Sequence, residues 1–379
     1  MHSSLAFLRK RKKSTSPQIG AGNESCGHDV KNNSDEVLSN NDVDSPVRLH
    51  FNLWDVYTDR NSKATFLDVG LHIDNVSLTE EFMIFFPFEF DSSEVIDLHG
   101  CLSTDSELVR TIFNENLSFD SITHSLSFVS YDGKVDNRFF IHSIPLSNPK
   151  MVFFEKKQYQ YNGGHLISTL MNFSKDFLEC IHRSQSEQKN NHRESDAGYF
   201  RFRIPLKARE VFISEYKPKH ALLTGSLYKS EIVDFRVNEA RSLPPELYYE
   251  KDVRQMDFCA SRVDYFLVKD AWCEYQTSHG DFKKSRTLEK SFWSKYLLFK
   301  IKVDNLSKVM SNKDAMVIYH WSKSPKENNE AVSFSAFAKF IEQSTSRVTI
   351  GYYIAAIIVI SIISNFLSDF IKGFLCSGS

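Results

Sequence analysis

Catalytic signatures are missing from this chain. Its 379 residues contain no G-x-S-x-G, no H-E-x-x-H and no P-loop. No nucleophile elbow, helical zinc pair or phosphate cradle can therefore be assigned from pattern. Cysteine is sparse: Cys26, Cys101, Cys180, Cys259, Cys273 and Cys376 form no C-x-x-C. Such scatter excludes a disulfide framework and fits reduced thiols in a cytosol. Net charge is also missing. A total of −2 announces neither nucleic acid nor an anionic surface as partner. No repeat of fixed period occurs, which excludes a solenoid or propeller. The apolar run Leu5–Leu8 is too short for a signal peptide, so the sequons at Asn75 and Asn305 read as chance.

Four short patterns approach chemistry without completing it. His99-Gly100-Cys101 and Cys180-Ile181-His182 lack second halves at zinc spacing. Gly163-Gly164-His165 and His279-Gly280-Asp281 read as turns. The alternating charges of Asp234–Glu239 read as a solvated sheet face with cross-strand ion pairs. No catalytic residue, metal or cofactor is expected.

What the chain has is aromatic core material, with 32 Phe and 15 Tyr, and one long charge-free run. Residues 1–46, rich in Ser, Asn and Asp, read as a disordered arm with a basic run at Arg9–Lys13. That run either touches anionic lipid or nucleic acid or is simply solvated. Order is expected from Val47, where Val47, Leu49, Phe51 and Leu53 alternate with polar residues, and Leu67–Ile73 repeats the pattern. Thr104–Glu107 fits a capping box, and Asp132-Gly133 marks a hairpin between Leu126–Ser130 and Phe139–Ile144. These features define a β-rich unit over 47–160. In 161–197, Leu166, Leu170, Phe173, Phe177 and Ile181 predict an amphipathic helix followed by a polar loop. A second β-rich unit is expected over 198–325, with strands at Tyr199–Leu206, Val211–Tyr216, Ile232–Val237, Val263–Trp272, Tyr296–Val303 and Met316–Trp321 and a polar loop at Thr277–Arg286. Phe334, Phe337 and Ile341 predict an interfacial helix over 331–346. The fold class is α+β: a mainly antiparallel, sandwich-like cytosolic region with few helices, plus one C-terminal transmembrane helix.

That helix is read from residues 348–367, Val348 to Leu367, twenty residues without a charge. The length suits ~30 Å of hydrocarbon, whereas a buried core helix usually keeps a polar stripe. Lys323, Lys326, Lys339 and Arg347 precede the run, and Lys372 lies in the tail 368–379. The positive-inside rule then places the N-terminal region in the cytosol, in a single-pass, tail-anchored arrangement. Gly351 and Ala355, four apart, with Ser361 and Asn365 beside them, suit self-association in the membrane. Alternatively, Ser364 and Asn365 mark the headgroup boundary.

A basic strand supplies the candidate ligand site. Phe200, Phe202 and Ile204 should face the core, which puts Arg201 and Arg203 side by side on the other face, with Lys207 and Arg209 close behind. Guanidinium groups at this spacing suit a small anion such as a nucleotide. The competing reading is a solvated strand neutralised by acidic neighbours. Two classes of function follow. In one, the chain is a non-enzymatic, membrane-anchored binding or effector protein whose partners are the lipid bilayer, further copies of itself, and a protein or small anionic ligand. Nucleic acid is not expected. Antiviral defence effectors that permeabilise a cell inner membrane share this layout, an analogy of architecture alone. In the other, it is a membrane-tethered enzyme acting on a nucleotide or lipid headgroup. The absence of a motif favours the first.

Overall fold

The computed structural model describes residues 4–12, 46–57, 63–113, 117–120, 125–129, 135–161, 163–188, 196–216, 228–279, 281–300, 315–325, 331–343 and 347–376. The largest sheet orders its strands as β17 (Phe282–Leu288), β18 (Met316–Lys323), β15 (Arg262–Asp270), β2 (Val47–Tyr57), β3 (Lys63–Ile73), β11 (Ala197–Pro205), β8 (Val135–Ile141), β7 (Ser125–Val129) and β6 (Leu117–Asp120). A short β5 (Ile96–Asp97) pairs with β11. Within this sheet β15–β2 and β11–β8 pair parallel, and the other pairings are antiparallel. A second sheet runs β14 (Asp257–Phe258), β1 (Ala6–Arg11), β4 (Thr79–Phe86), β10 (Gly164–Phe173), β9 (Val152–Tyr161). A third runs β12 (Ile213–Tyr216), β13 (Tyr228–Val237), β19 (Phe334–Gln343), β16 (Glu274–His279).

A bridge from Leu5 to Val237 connects the second and third sheets. Both share one core with the large sheet, in which Leu49, Phe51 and Leu53 meet Phe7, Phe82, Ile84, Phe235 and Phe340. Each such buried side chain contributes about 1.5–3 kcal/mol, and the period-two alternation of β2 and β3 directs them inward. On the outer face of the large sheet, α1 (His99–Leu102), α2 (Ser106–Phe113) and α5 (Lys290–Leu298) build a second core around Trp54, Trp293 and Tyr296. Asp105 caps α2, its Oδ1 accepting from the amides of Glu107 and Leu108 at 3.1 and 3.0 Å. Two further helices flank the second sheet: α3 (Lys175–Gln188) and α4 (Pro245–Arg254). The chain then runs from β19 into α6 (Arg347–Cys376).

The sheet-rich, antiparallel-dominated class agrees with expectation, whereas several boundaries do not. The arm expected over 1–46 contains β1, a strand between β4 and β14. Its Leu5–Leu8 are fully buried because both faces of the strand are covered, so alternation is lost. In its basic run, Arg9 is buried and Lys10 pairs with Glu80 at 3.6 Å. The helix expected from Leu166 begins only at Lys175, after β10. Residues four apart share a face in a strand as well as in a helix, and Leu166 and Leu170 do so here, on the outer side of the second sheet. The interfacial helix expected over 331–346 is instead β19, whose buried positions Phe334, Ala336, Ala338 and Phe340 include two alanines that give a weak apolar signal. Tyr296 lies in α5 rather than a strand, and the loop expected at 277–286 holds parts of β16 and β17. The two units expected over 47–160 and 198–325 are interleaved: β15 pairs with β2 and β11 with β3 in one sheet.

Side chains of α6 are described at Gly351, continuously from Tyr353 to Ser368, and at Ile371 and Lys372. Among the described residues no helix is long and apolar enough to cross a membrane.

Candidate functional site

The four basic residues expected to form an anion site occupy three separate places. Arg201 and Arg203 do share the outer face of β11, but neither reaches solvent. Asp68 on β3, opposite Arg203, takes its guanidinium in a two-pronged bond, Nε to Oδ1 at 2.6 Å and Nη2 to Oδ2 at 2.9 Å. The free Nη1 of Arg203 donates to the carbonyls of Tyr296 and Leu297 at the end of α5. Arg201 donates to the hydroxyls of Tyr296 and Tyr199 and to Asn52 Oδ1, at 2.7, 2.9 and 2.7 Å. Trp54 Nε1 and the Tyr296 hydroxyl both donate to Asp68 Oδ2. Burial alone would raise the Asp68 carboxyl, and the Arg203 guanidinium overcomes it, holding it below its usual value. This is a closed knot under α5. It corrects the expectation of an open anion face: acceptors from the chain satisfy the donors that a ligand would need.

Beside the knot lies His50, pushed down to about 3 by burial, which outweighs the Asp264 carboxylate, with Arg201 adding to the fall. It is neutral at ordinary pH.

Lys207 is exposed and pairs with Glu94 at 2.6 Å. Arg209 belongs to a different cluster, at the end of the shared core where β2, β11 and β15 stop. There Lys269 Nζ lies 2.6 Å from Asp55 and also bonds Glu231. Lys63 reaches Glu231 at 2.6 Å and Glu342 at 2.8 Å. Arg209 pairs with Asp55 at 2.9 Å, with Glu231 at 3.1 Å and with Glu215. Lys229 lies 3.2 Å from Glu342. Four cations thus face four carboxylates, in a layer joining the large sheet to the third sheet. Burial opposes ionisation of Asp55, and Lys269 and Lys63 overcome it, so its carboxyl sits below the usual range. Burial, then the Asp55 carboxylate, push Glu342 up to about 8. The ammonium groups of Lys63 and Lys229, 2.8 and 3.2 Å from its carboxylate, oppose that rise, and Glu342 is still more easily protonated than Asp55 or Glu231, which are held low.

Sequence reasoning passed over a shallow groove on the outer face of the large sheet, lined by Phe266, Lys284, Arg286, Ile318 and His320. Lys284 and Arg286 are exposed on edge strand β17, and His320 stacks on Phe266 with centroids 4.3 Å apart. The alternation of Lys284 and Arg286 was the available signal, hidden because the segment reads as a polar loop. Of the described cysteines, Cys180 is exposed and Cys101, Cys259 and Cys273 are buried. Burial pushes the thiols of Cys101 and Cys273 up to about 11 and that of Cys259 to about 12, which leaves them unreactive. Among the described residues no group of His, Cys, Asp and Glu side chains could hold a metal ion.

Gly351, Ala355, Ser361 and Asn365 all lie on α6 and are exposed. At 3.6 residues per turn they span an arc of about 120°. A side chain built at Gly351 would meet nothing within 4 Å.

No family model matches the chain, and no curated protein matches it. Among solved structures, the folded domain of the Mycobacterium tuberculosis LppM protein aligns over 80% of this chain and 94% of its own, with 8% identity and a TM-score of 0.20. The Fcho1 Mu homology domain of Danio rerio, with a bound Eps15 peptide, aligns over 78% of this chain and 79% of its own, with 7% identity and a TM-score of 0.15. Scores this low carry no argument about fold or function.

Proposed function

We propose that this chain is a membrane-attached, non-enzymatic binding protein, in which the sandwich carries the recognition surface and α6 anchors it in a bilayer. One observation carries the reading. Ile354, Ile357, Ile358, Val359, Ile360, Ile362, Ile363, Phe366 and Leu367 are each 49–74% exposed, on every side of one helix. A soluble protein rarely leaves so large an apolar surface uncovered. Hydrocarbon covers it on all sides at once, and the uncharged run of twenty residues, Val348 to Leu367, is the length a bilayer core requires. Self-association along the Gly351, Ala355, Ser361 and Asn365 stripe belongs to the same reading. For an anionic ligand, the groove at Lys284 and Arg286 supplies exposed cations that the buried arginines do not.

The test is partition. Full-length protein should float with phosphatidylcholine vesicles and resist extraction at alkaline pH. Ile358→Arg, which costs ~2.5–3.5 kcal/mol at mid-span on insertion scales, should shift it toward the soluble fraction. If wild type and Ile358→Arg are extracted alike, α6 is not an anchor.

A further inference from the structure

Beyond anchoring by α6, we propose that the end of the sandwich from which the chain leaves for α6 is itself a docking surface for the lipid headgroup layer, with Trp272, Tyr216 and Tyr228 as its interfacial anchors. The proposal rests on the reading of α6 as a membrane anchor and adds a second contact to it.

The placement follows from pairing. Tyr228, at the start of β13, lies opposite Gln343, the last residue of β19. Tyr216, the last residue of β12, lies opposite Ser230. Trp272 follows the end of β15 and packs on Tyr57, the last residue of β2, with ring centroids 4.7 Å apart. Lys229 ties these ends together, donating to the Tyr57 hydroxyl at 3.2 Å and pairing with Glu342 at 3.2 Å. Beneath them lies the charged layer of Asp55, Lys63, Lys269 and Glu231, so the apolar core is already closed and these rings are not needed to seal it. From Gln343 to Arg347 the chain can advance at most about 14 Å. A helix entering a bilayer at Arg347 therefore brings this end to the headgroup region.

The residue types fit that neighbour. Tyrosine and tryptophan pair an apolar ring with a polar tip and collect at membrane–water interfaces. Trp272, Tyr216 and Tyr228 are 42%, 54% and 38% exposed. Among the described residues, Tyr249 is the other Tyr or Trp of comparable exposure, and it lies on α4. Exposed rings scattered singly would mean nothing. Three at strand ends on the side joined to α6 are a common placement rather than a scatter.

Trp272 is also its own reporter, since Trp54, Trp293 and Trp321 are buried. Full-length protein is reconstituted into phosphatidylcholine vesicles containing lipid brominated at shallow or at deep acyl positions. Tryptophan emission is compared between wild type and Trp272→Phe, and flotation is scored on the same samples. The expected result is loss of emission with shallow bromine and not with deep bromine, absent in Trp272→Phe. Tyr216→Ser with Tyr228→Ser, at exposed sites that leave the melting temperature unchanged, should weaken that quenching. Protein that floats while bromolipid leaves Trp272 unquenched and aqueous iodide quenches it overturns the docking surface and leaves the anchor standing. Protein that does not float overturns both.

Discussion

Two clusters of buried charge sit on opposite faces of the same sheet and solve different problems. The knot around Asp68 has one carboxylate for two guanidinium groups, and neutral acceptors take the remaining donors. The layer around Asp55 and Glu231 has four cations for four carboxylates, each shared among several partners. The first depends on a single group. The second is redundant, and it lies at the end where the chain leaves for α6. The lesson is that arginines on one strand face are not by themselves a ligand site. What matters is whether the next strand and the covering helix supply the acceptors.

The largest effect expected from breaking this contrast is at Asp68. Asp68→Ala leaves two guanidinium groups buried without their carboxylate and should destabilise the fold by about 3–5 kcal/mol, measured by urea denaturation. Lys269→Met should cost less, about 1.5–3 kcal/mol, because Lys63 and Arg209 remain beside Asp55 and Glu231. The reverse order would show that sharing does not protect the second cluster.

How far this was legible in the sequence depends on the residue. The alternation in β2 and β3 was plain, because each buries one face in the main core. That Arg201 and Arg203 share a face was legible too. That the face is closed was not, since it depends on Asp68 over 130 positions away and on Tyr296, in a segment whose apolar residues suited strand and helix equally. Strand β1 was illegible for a related reason: a strand buried on both faces has no period, and the basic residues next to Leu8 resembled a solvated tail. Strand β19 hid its alternation behind alanines.

A smaller effect separates the clusters by pH. His50, beside the knot, titrates at about 3 in the folded protein against an ordinary 6.5. The unfolded chain therefore takes up its proton first on acidification. The contribution of His50 to stability is present above pH 6.5 and is lost as pH falls toward 3, with a slope of up to ~1.4 kcal/mol per pH unit. His50→Gln should flatten that limb of the stability curve; an unchanged slope would place the acid sensitivity elsewhere, His142 being the next candidate. Glu342, in the other cluster, has the opposite sign. Its folded value is raised to about 8 from 4.5, so its contribution is full below pH 4.5 and is lost as pH rises through 8. Glu342→Gln should be within about 1 kcal/mol of wild type near pH 6 and gain on it above pH 8. A mutant that instead loses ground at high pH would show that the pairs with Lys63 and Lys229 dominate burial.

Membrane attachment of this chain depends on α6. The most direct measurement places Cys376 relative to the membrane. With the other five cysteines replaced, intact cells are treated with a membrane-impermeant maleimide before and after lysis. Labelling of Cys376 in intact cells, at a level that lysis does not increase, is the predicted result. Labelling that appears only on lysis would mean that the C-terminus does not cross, and would contradict the anchor.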